Sequence, residues 1–200
     1  WGDSNYGGDI TKTYNGRIVD LSKNVKDISC GAYACVARFT DGSAAAWGNA
    51  KFGGDITITA SGQTVNLNEK VDDISCGLGA CVARFTDGSA AAWGDSDYGG
   101  DSTKFYNGPP VNLDEKVADI SCGQSACVAR FTDGSAAAWG HPDFGGDSTK
   151  VYNGQTVDLS ENVTDISCGA FACAARFKDG SAKVWGDSRW GGDITKTDDG

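Results

Sequence analysis

Apolar and polar residues alternate over short stretches of the chain, and the stretches return with a period of 46 residues. In the first copy Val25-Lys26-Asp27-Ile28-Ser29-Cys30-Gly31 leads to Ala34-Cys35-Val36-Ala37-Arg38-Phe39, then to Asp41-Gly42, then to Ala44-Ala45-Ala46-Trp47-Gly48. A period of two bounded by glycine-containing turns predicts three short strands joined by tight connections. Asn15-Gly16, Ser61-Gly62, Asn107-Gly108 and Asn153-Gly154 are further turns, each followed by a brief alternating segment such as Val19-Asp20-Leu21 or Val65-Asn66-Leu67. No stretch sustains a helical period, so the fold class is all-β. Trp-Gly recurs at Trp1, Trp47, Trp93, Trp139 and Trp185, which divides the chain into copies 1–46, 47–92, 93–138, 139–184 and a partial copy 185–200. Repeats of this length build propellers, solenoids or stacked arrays, and no linker separates the copies, so one continuous array is expected.

Counting along the strands predicts their pairing. Cys30 opposite Cys35 places Ile28 against Ala37, Ser29 against Val36 and Asp27 against Arg38. A two-residue turn at Asp41-Gly42 would then set Phe39 against Ala44, Arg38 against Ala45 and Val36 against Trp47. Side chains alternate across a strand, giving one face with Ile28, Cys30, Cys35, Ala37, Phe39, Ala44 and Ala46. The other face carries Asp27, Ser29, Val36, Arg38, Ala45 and Trp47. Neither is a solvent-washed face, which predicts sheets covered on both sides by their neighbours.

Val25-Lys26-Asp27-Ile28-Ser29-Cys30-Gly31, Asp41-Gly42, Trp47-Gly48 and Phe52-Gly53-Gly54 follow, in order, the pattern of the regulator of chromosome condensation repeat, and the chain resembles that family across all four copies. The resemblance implies four-stranded blades in a β-propeller-like array. It also implies use in protein–protein contact, which in that family includes nucleotide exchange on a small GTPase and secreted inhibition of β-lactamase. The chain departs from the family pattern where a customary His is Ala (Ala34, Ala80, Ala126, Ala172) and where a customary Gln-Leu-Gly is Gly-Asp. Family propellers have more blades than four, and residues 1–16 and 185–200 are near-duplicates. An open solenoid-like array is therefore the alternative to a ring, as is a segment of a longer array, a reading that also fits the absence of Met.

Charge narrows the partners. The net charge of −10 and pI near 4.4 repel phosphate backbones and anionic headgroups, which argues against nucleic acid and membrane surfaces. No apolar run is long enough to span a bilayer. The eight cysteines fall in one spacing: Cys30 and Cys35, Cys76 and Cys81, Cys122 and Cys127, Cys168 and Cys173. Opposed across a hairpin, they predict four structural disulfides and an extracellular or cell-surface location. Zinc is the rival, disfavoured by the wide spacing and the lack of matching histidines. Asn162-Val163-Thr164 is a candidate glycosylation site.

Asp27–Arg38, Asp73–Arg84, Asp119–Arg130 and Asp165–Arg176 are expected cross-strand ion pairs, structural rather than anion-binding. Tyr6, Phe52, Tyr98, Phe144 and Trp190 form an aromatic series in the Gly-Gly loops, which would either plug sheet edges or stack on sugar rings. Asp95, Asp97 and Asp101 make the loop most like a calcium site. Their middle carboxylate becomes Asn5, Lys51 and Arg189 in other copies and is retained at Asp143, so no metal or other cofactor is expected, and the constant Asp of each loop (Asp9, Asp55, Asp101, Asp147, Asp193) is read as a turn cap. His141 is the sole His and no Ser or Cys has a base partner, which argues against an enzyme. The expected function is a structural or interaction module of a secreted assembly or filament, engaging a protein partner or its own copies. A carbohydrate-binding lectin and a secreted inhibitor are the alternatives.

Overall fold

In a computed structural model of the chain, the described residues are 10, 19–22, 24–57, 65–68, 70–104, 110–114, 116–150 and 156–195. They form four three-stranded antiparallel sheets in tandem, each in strand order first-second-third. Sheet one contains β1 (Val25–Cys30), β2 (Ala34–Phe39) and β3 (Ala44–Gly48). Sheet two contains β4 (Val71–Cys76), β5 (Ala80–Phe85) and β6 (Ala90–Gly94), and sheet three β7 (Val117–Cys122), β8 (Ala126–Phe131) and β9 (Ala136–Gly140). Sheet four contains β10 (Val163–Cys168), β11 (Ala172–Phe177) and β12 (Ala182–Gly186).

A fourth strand, implied by the family resemblance, is not formed among the described residues. Its place beside the third strand is taken by the segment entering the next sheet, which contributes one backbone hydrogen bond per junction. Ala44 N–H donates to Leu67 C=O at 2.6 Å, Ala90 to Leu113 at 2.6 Å and Ala136 to Leu159 at 2.7 Å.

The first hairpin has the expected register, with Cys30 opposite Cys35, Ile28 opposite Ala37 and Asp27 opposite Arg38, ending in a bulge between Val25 and Asp27. The second hairpin is displaced by one residue from the count above: Arg38 lies opposite Ala44, Val36 opposite Ala46 and Cys35 opposite Trp47. The reason is the turn. Phe39 N–H donates to Ser43 C=O at 2.8 Å around the three residues Thr40, Asp41 and Gly42, with Gly42 at φ 84°. This is the three-residue hairpin loop closed by a left-handed glycine, not the two-residue turn. A one-residue slip exchanges the faces of a strand. Trp47 therefore joins Cys30, Cys35, Ala37 and Ala45 on the leading face, while Ala44 and Ala46 join Val36 and Arg38 on the trailing face.

Each core is a junction between sheets. The trailing Val36, Ala44 and Ala46 of sheet one pack with the leading Val71, Cys81, Ala83 and Trp93 of sheet two, and Val65 and Leu67 close the outer side. The same pattern repeats at the next two junctions. At the first-strand edge the backbones touch. A Cβ added to Gly31 would fall 1.7 Å from the carbonyl oxygen of Gly77, one on Gly77 would fall 1.9 Å from that of Gly123, and one on Gly123 would fall 1.9 Å from that of Gly169. Beside these contacts Cys76 N–H donates to Ser29 Oγ at 3.0 Å, and Cys122 and Cys168 N–H donate to Ser75 and Ser121 Oγ at 2.9 Å. The array is open. Ile28 at its start is 51% exposed, whereas its counterparts Ile120 and Ile166 are 6% and 7% exposed.

All eight cysteines are disulfide-bonded in the pairs Cys30–Cys35, Cys76–Cys81, Cys122–Cys127 and Cys168–Cys173. Each closes a six-residue loop, for which chain entropy gives about 2 kcal/mol. Cys81, Cys127 and Cys173 are buried and Cys30 is exposed. Graded reduction followed by thiol alkylation and peptide mapping should open Cys30–Cys35 before the other three. Gly77→Ala should destabilise the fold by about 1–3 kcal/mol in urea unfolding, since the new methyl has nowhere to go. Gly169→Ala, whose Cβ meets nothing closer than Ala172 C=O at 3.6 Å, should change stability by less than about 0.5 kcal/mol in dilute solution.

Candidate interaction surface

The strands bring two kinds of connection to one end of the array: the hairpin turns after each first strand and the Gly-Gly loops after each third strand. Each loop opens with a 3-10 turn, at Ala50–Phe52, Ser96–Tyr98, Pro142–Phe144 and Ser188–Trp190. The residue before each turn caps it. Asn49, Asp95, His141 and Asp187 accept a hydrogen bond from the backbone N–H two residues on, as short polar side chains do at turn starts. The first glycine then takes the left-handed conformation, at φ 103° for Gly53 and 96° for Gly99, and in the first three loops its carbonyl is held by the following sheet. Trp93 Nε1–H donates to Gly53 C=O at 2.9 Å, and Trp139 and Trp185 donate to Gly99 and Gly145 at 2.8 Å. A Cβ on Gly99 would meet Cys127 Sγ at 3.0 Å, so the loop rests on the next sheet's disulfide. The constant Asp closes each loop: Asp55 Oδ1 accepts from Thr57 N–H at 2.9 Å and Thr57 Oγ1–H at 2.7 Å, and Asp101, Asp147 and Asp193 repeat the arrangement.

Held this way, the loop aromatics meet the hairpin turns. Tyr33 and Phe52 have ring centroids 4.8 Å apart, and Phe52 meets Tyr98 edge-on at 6.1 Å. His141 stacks on Phe144 at 4.5 Å, Phe144 meets Phe171 at 5.0 Å, and Phe171 meets Trp190 at 5.6 Å. Trp190 is 62% exposed; Phe52, Tyr98 and Phe144 are half-buried. Tyr6 lies outside the described residues. Tyr33, Phe171 and His141 belong to these clusters but not to the loop series. Their signal in the sequence is variation between copies: the hairpin turn reads Ala32-Tyr33, Leu78-Gly79, Gln124-Ser125 and Ala170-Phe171 within a nearly constant frame. Gly79 is a notch, since a Cβ there would meet Tyr98 Cγ at 2.9 Å and Phe52 Cδ1 at 3.1 Å.

Charged pairs rim the aromatics. Lys51 Nζ meets the Asp95 carboxylate at 2.7 Å, and Arg189 pairs with Asp187 at 2.6 Å. Lys104 pairs with Asp97, and Lys150 with Asp143. The bond from Lys104 holds the Asp97 carboxyl below its ordinary pKa. Asp95, Asp97 and Asp101 are thus committed to a cap, a lysine and a threonine turn. Among the described residues no three His, Cys, Asp or Glu side chains come together as a metal site.

The arginines of the second strands lie elsewhere, on the trailing faces. Arg38 Nε donates to Asp27 at 3.1 Å, a second bond runs from Nη2, and this pairing holds the Asp27 carboxyl low and raises the guanidinium. Arg84 pairs with Asp72 at 2.5 Å instead of Asp73, and Arg38 reaches the same Asp72 at 3.9 Å. Asp73 and Asp119 turn back to accept from the N–H of Ile74 and Ile120. The position of Asp72 is Ala118 in sheet three, so Arg130 has no such carboxylate, and its buried Nε, like that of Arg84, has no hydrogen-bond partner among the described residues. Arg176 approaches Asp165 at 3.8 Å on an exposed face.

No protein-family model matches the chain, and no curated protein sequence does. Solved structures do. Yeast RCC1 (Prp20) in its complex with Kap60 superposes with a TM-score of 0.57 at 18% identity, over 84% of this chain and 45% of that one. Human WBSCR16 gives 0.52 at 21% identity, over 85% and 49%. The ectodomain of the Physcomitrella patens receptor kinase CR4 gives 0.50 at 14%, over 81% and 41%. The chain spans about half the length of the first two, and at these identities the likeness is one of fold. The fold is that of a divergent regulator of chromosome condensation-type repeat, an all-β array of propeller-like sheets.

His141 is the one cap that titrates near neutrality. Burial depresses its pKa below the ordinary 6.5, opposed by Asp97, and Nδ1 accepts from Asp143 N–H at 3.3 Å. The folded state thus binds fewer protons than the unfolded chain, so stability is lost as pH falls below about 6.5. An NMR titration should place the His141 midpoint below 6.5, with the Asp143 amide shifting in step. His141→Asp should remove that change between pH 7 and 5.

Proposed function

We propose that the chain is a non-enzymatic interaction module of a secreted or cell-surface assembly, in which the four copies 1–46, 47–92, 93–138 and 139–184 with the partial copy 185–200 act as one array. Its working surface is the loop end. The observation that carries this reading is the coincidence of variation and position. Residues 32–33 and their counterparts differ in every copy, and the loop position of Lys51, Asp97, Asp143 and Arg189 in all but one pair of copies, on a nearly constant scaffold. All gather beside a row of aromatic rings. Aromatic anchors with a charged rim are the composition of a protein-binding surface.

The solved structures of this fold point the same way. Yeast RCC1 is seen bound to Kap60, Prp20p is described with its binding properties to Gsp1p and histones, and CR4 is a receptor ectodomain. Histones and nucleic acid are distinct partners, and the charge of −10 opposes the second. Four disulfides support an oxidising compartment. No helix of the described residues is long and apolar enough to cross a membrane. In that compartment Asn162, exposed at φ 63° before β10, would carry a glycan. Stacking on a carbohydrate is a second reading, favoured by the exposed Trp190.

The labelled chain should be presented to an array of extracellular proteins and to a glycan array. Replacing Tyr33, Phe171 and Trp190 together by Ala should weaken protein binding at least about tenfold, whereas Asp87→Ala, in a turn at the opposite end, should not. Equal binding by both variants would exclude the loop end. Glycan binding lost on Tyr98→Ala would favour the carbohydrate reading instead.

A further inference from the structure

The array's two terminal faces are the two halves of a contact that the molecule already makes three times. At every internal junction the trailing face of one sheet meets the leading edge of the next through one set of backbone groups. Ser29 Oγ accepts from Cys76 N–H at 3.0 Å; Gly42 C=O accepts from Val71 N–H at 2.9 Å; Ala44 N–H donates to Leu67 C=O at 2.6 Å; and the Cα of Gly31 lies against Gly77 C=O. The junctions from sheets two and three repeat all four.

Sheet four presents the trailing set again, as Ser167, Gly169, Gly180 and Ala182, with no described residue paired to it across a junction. A Cβ on Gly180 would meet nothing within 4 Å, whereas those on Gly42, Gly88 and Gly134 would meet Lys70, Lys116 and Asn162. Sheet one presents the leading set, as Cys30, Gly31, Val25 and Leu21, beside the 51% exposed Ile28. The apolar content is preserved as well. The cross-strand pair Val36–Ala46, repeated as Val82–Ala92 and Val128–Ala138, is reversed as Ala174–Val184 and keeps its combined volume.

We infer that a second copy of this chain docks head-to-tail, the trailing face of its fourth sheet on the leading edge of the first. Ser167 Oγ would accept from Cys30 N–H, Gly180 C=O from Val25 N–H, and Ala182 N–H would donate to Leu21 C=O, with Gly169 against Gly31 C=O. The occupant is a second copy because the contact continues an interface already present in the molecule through the same four backbone contacts. A duplicated loop and a charge oppose it. Ile10 already packs on sheet one as Ile56 does on sheet two, so the loop of Ile194, which is 74% exposed, has to yield there. Arg176, 61% exposed where Arg38 is 9%, would face Lys26 at the position that Asp72 holds for Arg38. The contact is heterologous, so it propagates unless the rotation closes a ring. It uses the ends of the array and goes beyond the loop-surface reading, which it neither requires nor tests.

Sedimentation over a wide concentration range decides. The full chain should grow from 20.7 kDa in whole multiples as concentration rises. Gly169→Ala, harmless to the isolated fold, should shift the association midpoint to roughly ten- to hundred-fold higher concentration, because the methyl would fall on Gly31 C=O. Lys26→Asp should shift it lower by recreating the Asp72 contact. A chain that stays at 20.7 kDa throughout overturns the inference, and a loss of thermal stability in Gly169→Ala at that mass would mean that the two ends meet within one molecule. Growth indifferent to both substitutions also overturns it.

Discussion

At the first-strand edge each Gly of a Cys-Gly pair lies with its Cα against the carbonyl of its counterpart in the next sheet, closer than any side chain would permit. This contact sets the spacing of the array, and much else follows from it. With the backbones so close, the Cys N–H of one sheet reaches the Ser Oγ of the one before. The apolar side chains between the sheets then need to fill only a thin layer, which Val and Ala on one side and Cys, Ala and Trp on the other do. The alanine-rich third strands are a consequence of that spacing. A larger residue at Ala44 or Ala46 would have to push apart two backbones that are already in contact.

The disulfides act on the same edge from the other direction. Cysteine pairs opposite each other at the end of a hairpin tie its strands together, and their sulfurs form the floor on which the preceding Gly-Gly loop is seated. The Trp of the same sheet fixes that loop through a carbonyl. Scaffold and surface are thus joined by backbone groups of the loop and invariant side chains of the sheet. Each of the first three loops depends on the sheet that follows it in sequence, and not on its own copy alone.

The order of the three strands and the cysteine pairing could be read from the chain, because each depends on local alternation or on the repeat itself, whereas ring and open array stayed alternatives because the repeat is the same in both. The second hairpin could not. Asp41-Gly42 serves equally as a two-residue turn or as the end of a three-residue loop, and the choice moved Trp47 and three alanines to opposite faces. The arginine pairs were half legible for a related reason. Arg38 finds Asp27 across the strand, but the equivalent Asp73 and Asp119 accept from the N–H of the next residue, and the position before them varies: Asp72 supplies a carboxylate to Arg84, and Ala118 supplies none to Arg130. The aromatic clusters were half visible, since Tyr33 and Phe171 come from turns that lie about 20 residues from the loops they meet.

This division explains how the copies diverge without losing the fold. In a linear array each repeat contacts only its neighbours, so a change in one turn has no distant cost. Asn49, Asp95, His141 and Asp187 differ in charge and in titration, yet each supplies the same acceptor to the same backbone N–H. Within such a loop the position of Lys51, Asp97, Asp143 and Arg189 varies in ion pairs at the rim, and the cap position varies only among side chains that keep the acceptor for the backbone N–H. Selection on the first group leaves the second untouched. That independence lets a chain of near-identical sheets present a surface on which no two copies are alike.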